Sequence, residues 1–325
     1  MSLDVIHMSD IKVKPQAWLW EPYIPLGAVT TLLGDGGRGK SFLSLAIAAS
    51  VTRGMPLPGS DCPRKYGNVI LQNAENSLSA VVKPRLEMLG ADCSRIVSIN
   101  ESETKLTLDD ERIEEAIAHY NARLMIIDPL QAYLPAGGSM NSAERIRPIL
   151  TKLGQIAERN ACAILLVGHL NKGTGKANYR GLGSVDIFNS VPSVLYLGDV
   201  GDDARALVHG KSNLAETGPS LMFRLSKEQG FQWLGECDVT LDELLAKKST
   251  TNASRLDEAE DFLRDLLSEG PMPASEVFAI AGDSGISEKT LKRAKKAADI
   301  VTFKKDGRWF WSLQEGQVTP LQESK

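Results

Sequence analysis

The sequence predicts an α/β protein whose mainly parallel sheet carries antiparallel edge strands, followed by a small second unit. Three observations lead there. Continuous apolar strands alternate with helical patterns as far as Val167, short strands follow one another from Ser193, and a helix-rich segment with a basic face closes the chain.

The first strand is Ala28-Val29-Thr30-Thr31-Leu32-Leu33. It runs into Gly34-Asp35-Gly36-Gly37-Arg38-Gly39-Lys40-Ser41, and an Ala- and Leu-rich helical pattern opens at Ser41. This is the G-x-x-x-x-G-K-[ST] pattern in its strand–loop–helix setting. The glycines let backbone N–H groups turn inward around a polyphosphate, and the helix beyond presents its positive end to the same anion. The stretch from Gly34 to Ser41, with Phe42 after it, is therefore the expected nucleotide cradle, for ATP. Lys40 reaches the β- and γ-phosphates and the Ser41 hydroxyl holds Mg²⁺.

Trp18–Pro25, rich in aromatics and proline, reads as an extended segment. Packing against the first strand is favoured over base stacking on the nucleotide, and both readings stand. Asn68–Asn73 is the next buried strand, with a helix after it that Gly90 stops. Arg95–Ile99 is a short strand, and Ile113, Ala116, Ile117 and Tyr120 recur at helical spacing. Leu124–Asp128 is a strand ended by Pro129. The following helix places Ile146, Ile149, Leu150, Leu153 and Ile156 on one face, with Pro148 marking its start or a kink. Ala161–Val167 is a strand again. From Ser193, four closely spaced strands suggest antiparallel additions to one sheet edge.

These elements divide the chain into a lead-in (residues 1–26), an α/β domain (27–239), a polar linker (240–253), a small domain (254–313) and a tail (314–325). In the small domain Leu256, Ala259, Leu263 and Leu266 form a helix stripe, and a short helix covers Ser275–Ala281. Another helix is capped by Ser287, and a hairpin turns at Asp306-Gly307 between Ile300–Phe303 and Arg308–Trp311. Helix–helix–turn–helix–hairpin is a winged-helix order. Lys289, Lys292, Arg293 and Lys296 share the face opposite Leu291, Ala294 and Ala298, and Lys304, Lys305 and Arg308 sit on the hairpin. That face is expected to bind duplex DNA.

Composition narrows the class. Apolar residues make up 42% of the chain and charged residues 24%, with a net charge of −4, so nucleic-acid binding has to come from local patches. Cys62, Cys93, Cys162 and Cys237 lie far apart, as in a reducing compartment, and propose no metal site. No apolar run reaches the roughly 18 residues of a membrane span, and no signal peptide is visible; a cytoplasmic protein is expected.

Hydrolysis needs more than a phosphate loop. Asp128 closes an apolar strand as a Mg²⁺-holding carboxylate does. Glu75, just past the second strand, is placed to orient an attacking water, and His169, after the strand ending at Val167, to sense the γ-phosphate.

Together Gly34–Ser41, Asn73-Ala74-Glu75, Ile127-Asp128-Pro129-Leu130 and Gly168-His169-Leu170-Asn171-Lys172 resemble the RecA-like P-loop ATPases. The nearest branch is that of the RepA-type hexameric replicative helicases of plasmids, phages and mobile elements. Trp18–Pro25 and Tyr179–Ser184 extend the resemblance over roughly residues 15–235. It implies a RecA-like core, a ring that is usually hexameric, ATP between neighbouring subunits, single-stranded DNA in the channel, and a primase or origin-binding protein as partner. It supports Glu75 as catalytic base, Asp128 as the Mg²⁺ ligand and His169 as sensor. The implied channel loop, residues 171–180, carries Lys172, Lys176 and Arg180.

One departure bears on rate. Pro192 stands where these helicases place an arginine finger, and proline cannot offset phosphoryl charge. Lys211 and Arg180 are the candidate replacements, with Lys211 preferred. A slow ATPase is one consequence, which keeps open an ATP-controlled DNA-binding regulator or loader beside the helicase. A filament-forming recombinase fits less well.

Overall fold

The computed structural model describes residues 5–60, 65–135, 143–170, 190–201, 203–226, 230–246, 259–260, 262–264, 266–267, 270–283, 286–298, 300–305 and 308–313. The chain divides into two units, Met1–Leu245 and Ala246–Lys325.

In the first unit, strands β1 (Trp18–Trp20) and β2 (Ile24–Pro25) pair as a small antiparallel ribbon. Then come β3 (Val29–Gly34), α1 (Lys40–Arg53), β4 (Asn68–Asn73), α2 (Lys83–Met88), β5 (Ile96–Val97), α3 (Arg112–Tyr120) and β6 (Ala122–Asp128). Helix α4 (Ala143–Asn160) leads to β7 (Ala163–His169), and β8 (Ser193–Gly201), β9 (Ala204–Ser212), β10 (Ser220–Ser226), β11 (Gly230–Cys237) and α5 (Leu241–Ala246) complete the unit. One sheet results, in the order β11-β10-β9-β8-β3-β7-β6-β4-β5.

Alternation along the central strands explains why both faces are covered. Leu32, Leu124, Ile126, Leu165 and Val167 point to the face packed by α1 and by Leu86 of α2. Val29, Leu33, Met125, Ile127, Ile164 and Leu166 point to the other, which α3 and α4 cover with Ile113, Ile117, Leu150, Leu153 and Ile156. A strand buried on both faces has no polar position to alternate with, which is why these strands read as continuous apolar runs.

Three expectations change, and a reading left open is decided for the favoured side. Strand β8 is parallel to β3 (Thr30↔Ser193 to Gly34↔Leu197), so only β9, β10 and β11 are antiparallel additions. Its first five residues are buried, as a strand inside the sheet requires. Pro148 does not start α4. It lies exposed within the helix, which loses one backbone bond there and continues. The stretch from 240 is not a linker at its outset, because Leu244 and Leu245 of α5 pack into the sheet core; residues 247–253 lie outside the described residues. Trp20, Tyr23 and Ile24 are buried in the core, and Trp20 Nε1 donates to the Pro58 carbonyl at 2.8 Å and Tyr23 Oη to that of Pro219 at 2.6 Å. Core packing, not base stacking, therefore explains the aromatic lead-in.

The second unit holds a three-stranded antiparallel sheet, β12 (Met272–Pro273), β14 (Arg308–Ser312) and β13 (Val301–Lys305), in that order. Helices α6 (Ala274–Asp283) and α7 (Glu288–Ala297) pack with it. Ser287 caps α7, its Oγ accepting the Thr290 N–H at 3.2 Å. Ala259, Leu263 and Leu267 supply the buried stripe from 259 onward, with Leu266 only partly buried, and Leu256 lies outside the described residues. The core is completed by Val277, Leu291, Ala294 and Trp311.

Candidate active site at the sheet edge

Strand register assembles the site. Gly34 is level with His169 across β3–β7, and Asn73 with Asp128 across β4–β6. The chain leaves all four strands at one edge, where the phosphate loop also begins. Residues from four distant stretches thus meet because the sheet is parallel and its strands end together.

The loop's glycines have separate reasons. A Cβ on Gly34 would come within 2.5 Å of the Leu197 carbonyl oxygen on β8, so no larger residue fits. Gly37 (φ +71°) and Gly39 (φ +88°) occupy left-handed backbone. Gly39 caps α1 without any side-chain bond, which leaves the first amides of this 14-residue helix for an anion. Phe42 lies in that first turn; its ring stacks on Phe231 at 6.2 Å, so its backbone amide is what can face a phosphate.

Lys40 is buried and folded back on the loop. Its Nζ donates to the carbonyls of Gly34 at 2.9 Å and Asp35 at 2.6 Å and lies 3.4 Å from His169 Nδ1. Burial pulls its pKa down to about 8, against the opposing fields of Asp128, Asp35 and Glu75. Beyond the imidazole, His169 Nε2 stands 3.5 Å from Glu75 Oε1. A proton on Nε2 and an acceptor at Nδ1 satisfy both neighbours, so Glu75, His169 and Lys40 form one chain of polar contacts. Glu75 is half exposed, open to water as a base must be.

Asp128 is almost fully buried. Burial raises its pKa, the Ser41 hydroxyl bond lowers it, Glu75 raises it again, and Lys40 and His169 lower it. Burial is the largest of these influences, so the carboxylate is poorly solvated and would gain from a cation's charge. Asp128 and Ser41 offer a carboxylate and a hydroxyl side by side, an oxygen-only set that suits Mg²⁺, which takes few protein ligands and completes its shell with phosphate and water. Among the described residues there is no cluster of three His, Cys, Asp or Glu that could hold a metal alone.

Sequence reasoning missed a second charged group beside the loop. Arg38 pairs with Asp199 at the end of β8, and Arg205 Nε on β9 lies 3.7 Å from the other Asp199 oxygen. Those two atoms are buried and make no hydrogen bond. Arg205 also lies against Gly39, where an added Cβ would be 3.6 Å from its Cδ and Nε. With 161 positions between Arg38 and Asp199, nothing local signals the pair.

Lys211 sits at the opposite end of the sheet, level with Val194, and donates to the Val191 carbonyl at 2.9 Å. It cannot reach its own phosphate loop, so any role in hydrolysis must be on a neighbouring copy. Nearby, His209 is buried with its pKa pushed down to about 4 by burial. Gly218 N–H donates to its Nδ1 at 3.0 Å, leaving Nε2 to face Ser193 Oγ at 3.2 Å, and that hydroxyl donates to the Tyr23 carbonyl. Arg180, Lys172 and Lys176 lie outside the described residues.

On α7, Lys289, Lys292, Arg293 and Lys296 are all exposed while Leu291, Ala294 and Ala298 are buried. Lys304 and Arg308 are exposed on the hairpin; the side chain of Lys305 lies outside the described part. No helix among the described residues is long and apolar enough to cross a membrane.

The family described as AAA domain matches residues 2–175, more than half of the chain. The DNA repair protein RadA of Streptococcus pneumoniae is 25% identical over 222 residues, covering 67% of this chain and 47% of RadA. The chain thus spans about half the length of the curated relative it matches. With the sheet order and phosphate loop described above, these likenesses identify a RecA-like P-loop ATPase core that binds nucleotide.

Proposed function

The chain belongs to the AAA domain family, and on that premise we propose that it is a Mg²⁺-dependent ATPase acting on DNA as a RepA-like hexameric replicative helicase of a plasmid, phage or mobile element. The observation that carries the catalytic part is the contact chain Glu75–His169–Lys40 beside Asp128.

Each residue has a task. Incoming phosphates draw Lys40 off the Gly34 and Asp35 carbonyls, an exchange of neutral acceptors for charged ones. The free amides at the start of α1 hold the same phosphates. Ser41 and Asp128 would hold Mg²⁺, which offsets phosphate charge. Glu75 orients a water in line with the γ-phosphate, and His169, in contact with both Glu75 and Lys40, registers whether that phosphate is present.

The second unit is read as a winged helix in which α7 enters duplex DNA, with the loop at 171–180 gripping a single strand in a ring. Similarity to a protein named for DNA repair supports the DNA part of this reading, and also fits a repair ATPase. A primase or origin-binding protein is the expected partner of the helicase. Pro192 favours one alternative, an ATP-controlled regulator or loader: its carbonyl accepts the Asn213 N–H at 2.8 Å and no cation stands at that position.

Strand displacement on a forked duplex tests the proposal. A helicase separates the strands only with ATP, and single-stranded DNA raises its turnover. DNA binding with neither unwinding nor stimulation assigns the regulator instead.

A further inference from the structure

The hairpin β13–β14 exposes aromatic rings. Directly paired residues of an antiparallel ladder project to the same face. Thr302↔Trp311 and Lys304↔Trp309 share one face, and Trp311 seats it in the core of the second unit. Val301↔Ser312, Phe303↔Phe310 and Lys305↔Arg308 share the other. That outer face carries Val301 (40% exposed) and Phe303 (37%), whose ring stacks with Phe310 at 5.8 Å and 17°. Toward the turn, Trp309 is 57% exposed on the inner face. The Phe303–Phe310 stack steadies the hairpin, yet Phe303 and Trp309 still leave more than a third of their surface in water, more than that stack explains.

What surrounds the rings is positive. Residues 286–313 hold eight Lys or Arg against three Asp or Glu, whereas the whole chain carries −4. Lys304 and Arg308 flank the rings, and Lys295 of α7 lies over the Trp311 ring at 4.7 Å, which brings the basic helix alongside the hairpin. β13 is an edge of its sheet, and the exposed Lys304 blunts strand addition by another chain. Exposed aromatic faces set among cations suit unstacked bases joined by phosphates, because every base offers a π-face and the backbone supplies the negative charge.

We propose that the β13–β14 hairpin is a stacking platform for unpaired nucleotides on both of its faces, Trp309 taking a base on the inner face, where α7 holds phosphate, and Phe303 a neighbouring base on the outer face. The unit then binds where duplex opens into single strand. This rests on the DNA reading above.

The test uses the full chain, an oligothymidylate and a blunt duplex of matched charge, each followed by fluorescence anisotropy. Phe303→Ala is expected to weaken oligothymidylate binding about 5- to 100-fold, with duplex binding unchanged and Phe303→Tyr close to wild type. Oligothymidylate should also quench a tryptophan signal that Trp309→Phe lacks. Loss of both DNAs together, or of neither, overturns the platform while leaving DNA binding intact. A changed oligomeric state in Phe303→Ala with unaltered binding overturns it in favour of self-association. A wild-type chain that binds neither DNA overturns the DNA reading itself, and the platform with it.

Discussion

Lys40 Nζ stands 3.4 Å from Nδ1 of His169, although 129 positions separate the two residues. The other ring nitrogen faces Glu75, so the lysine that meets phosphate and the carboxylate that meets water touch the same imidazole.

Lys40 must be charged to hold phosphate, and in the free protein its pKa is lowered to about 8. Nucleotide binding raises it again, so above pH 8 binding takes up a proton. ATP affinity measured by calorimetry should be flat below pH 8 and weaken above it by at most about tenfold per pH unit. Lys40→Met should bind more weakly and lose that dependence.

Alanine should be costly at one loop glycine and nearly neutral at another. Gly34→Ala drives a Cβ to 2.5 Å from the Leu197 carbonyl oxygen and should cost about 1–3 kcal/mol, read as a lower Tm. Gly36 has open space within 4 Å, so Gly36→Ala should unfold within about 0.5 kcal/mol of wild type.

The Arg38–Asp199 pair ties the loop to the end of β8, and both side chains are about a third exposed. A double-mutant cycle with Arg38→Ala and Asp199→Ala should give a coupling of about 0.2–1 kcal/mol in chemical denaturation. Strict additivity would show that the pair contributes nothing.

His209 is neutral in the folded chain, with a pKa of about 4 against 6.5 when unfolded. The unfolded state therefore binds the extra proton first. Stability from this group is complete above pH 6.5 and is lost as pH falls toward 4, by roughly 3 kcal/mol. His209→Gln should flatten that part of the stability–pH curve, because no imidazole remains to protonate.

How much was legible in the sequence depended on range. Local signals carried Gly34–Ser41, the apolar strand before Asp128 and the Ser287 cap, since each is set by neighbours a few residues away. Glu75 was legible as a residue just beyond a strand and His169 as one at a strand's end, once a parallel sheet was inferred; the strand itself runs through His169. Asp199 and Arg205 were not, because their partners come from the β8–β9 edge and a loop more than 150 positions earlier. The parallel setting of β8 was hidden as well: short strands in series look antiparallel until the register with β3 is known.

Steady-state ATP turnover of the wild-type chain and Glu75→Gln, each with ATP affinity measured in parallel, tests the central claim most directly. The Glu75–His169–Lys40 site predicts that Glu75→Gln keeps its ATP affinity and loses about 10²- to 10⁴-fold in turnover. Undiminished turnover in Glu75→Gln would contradict it.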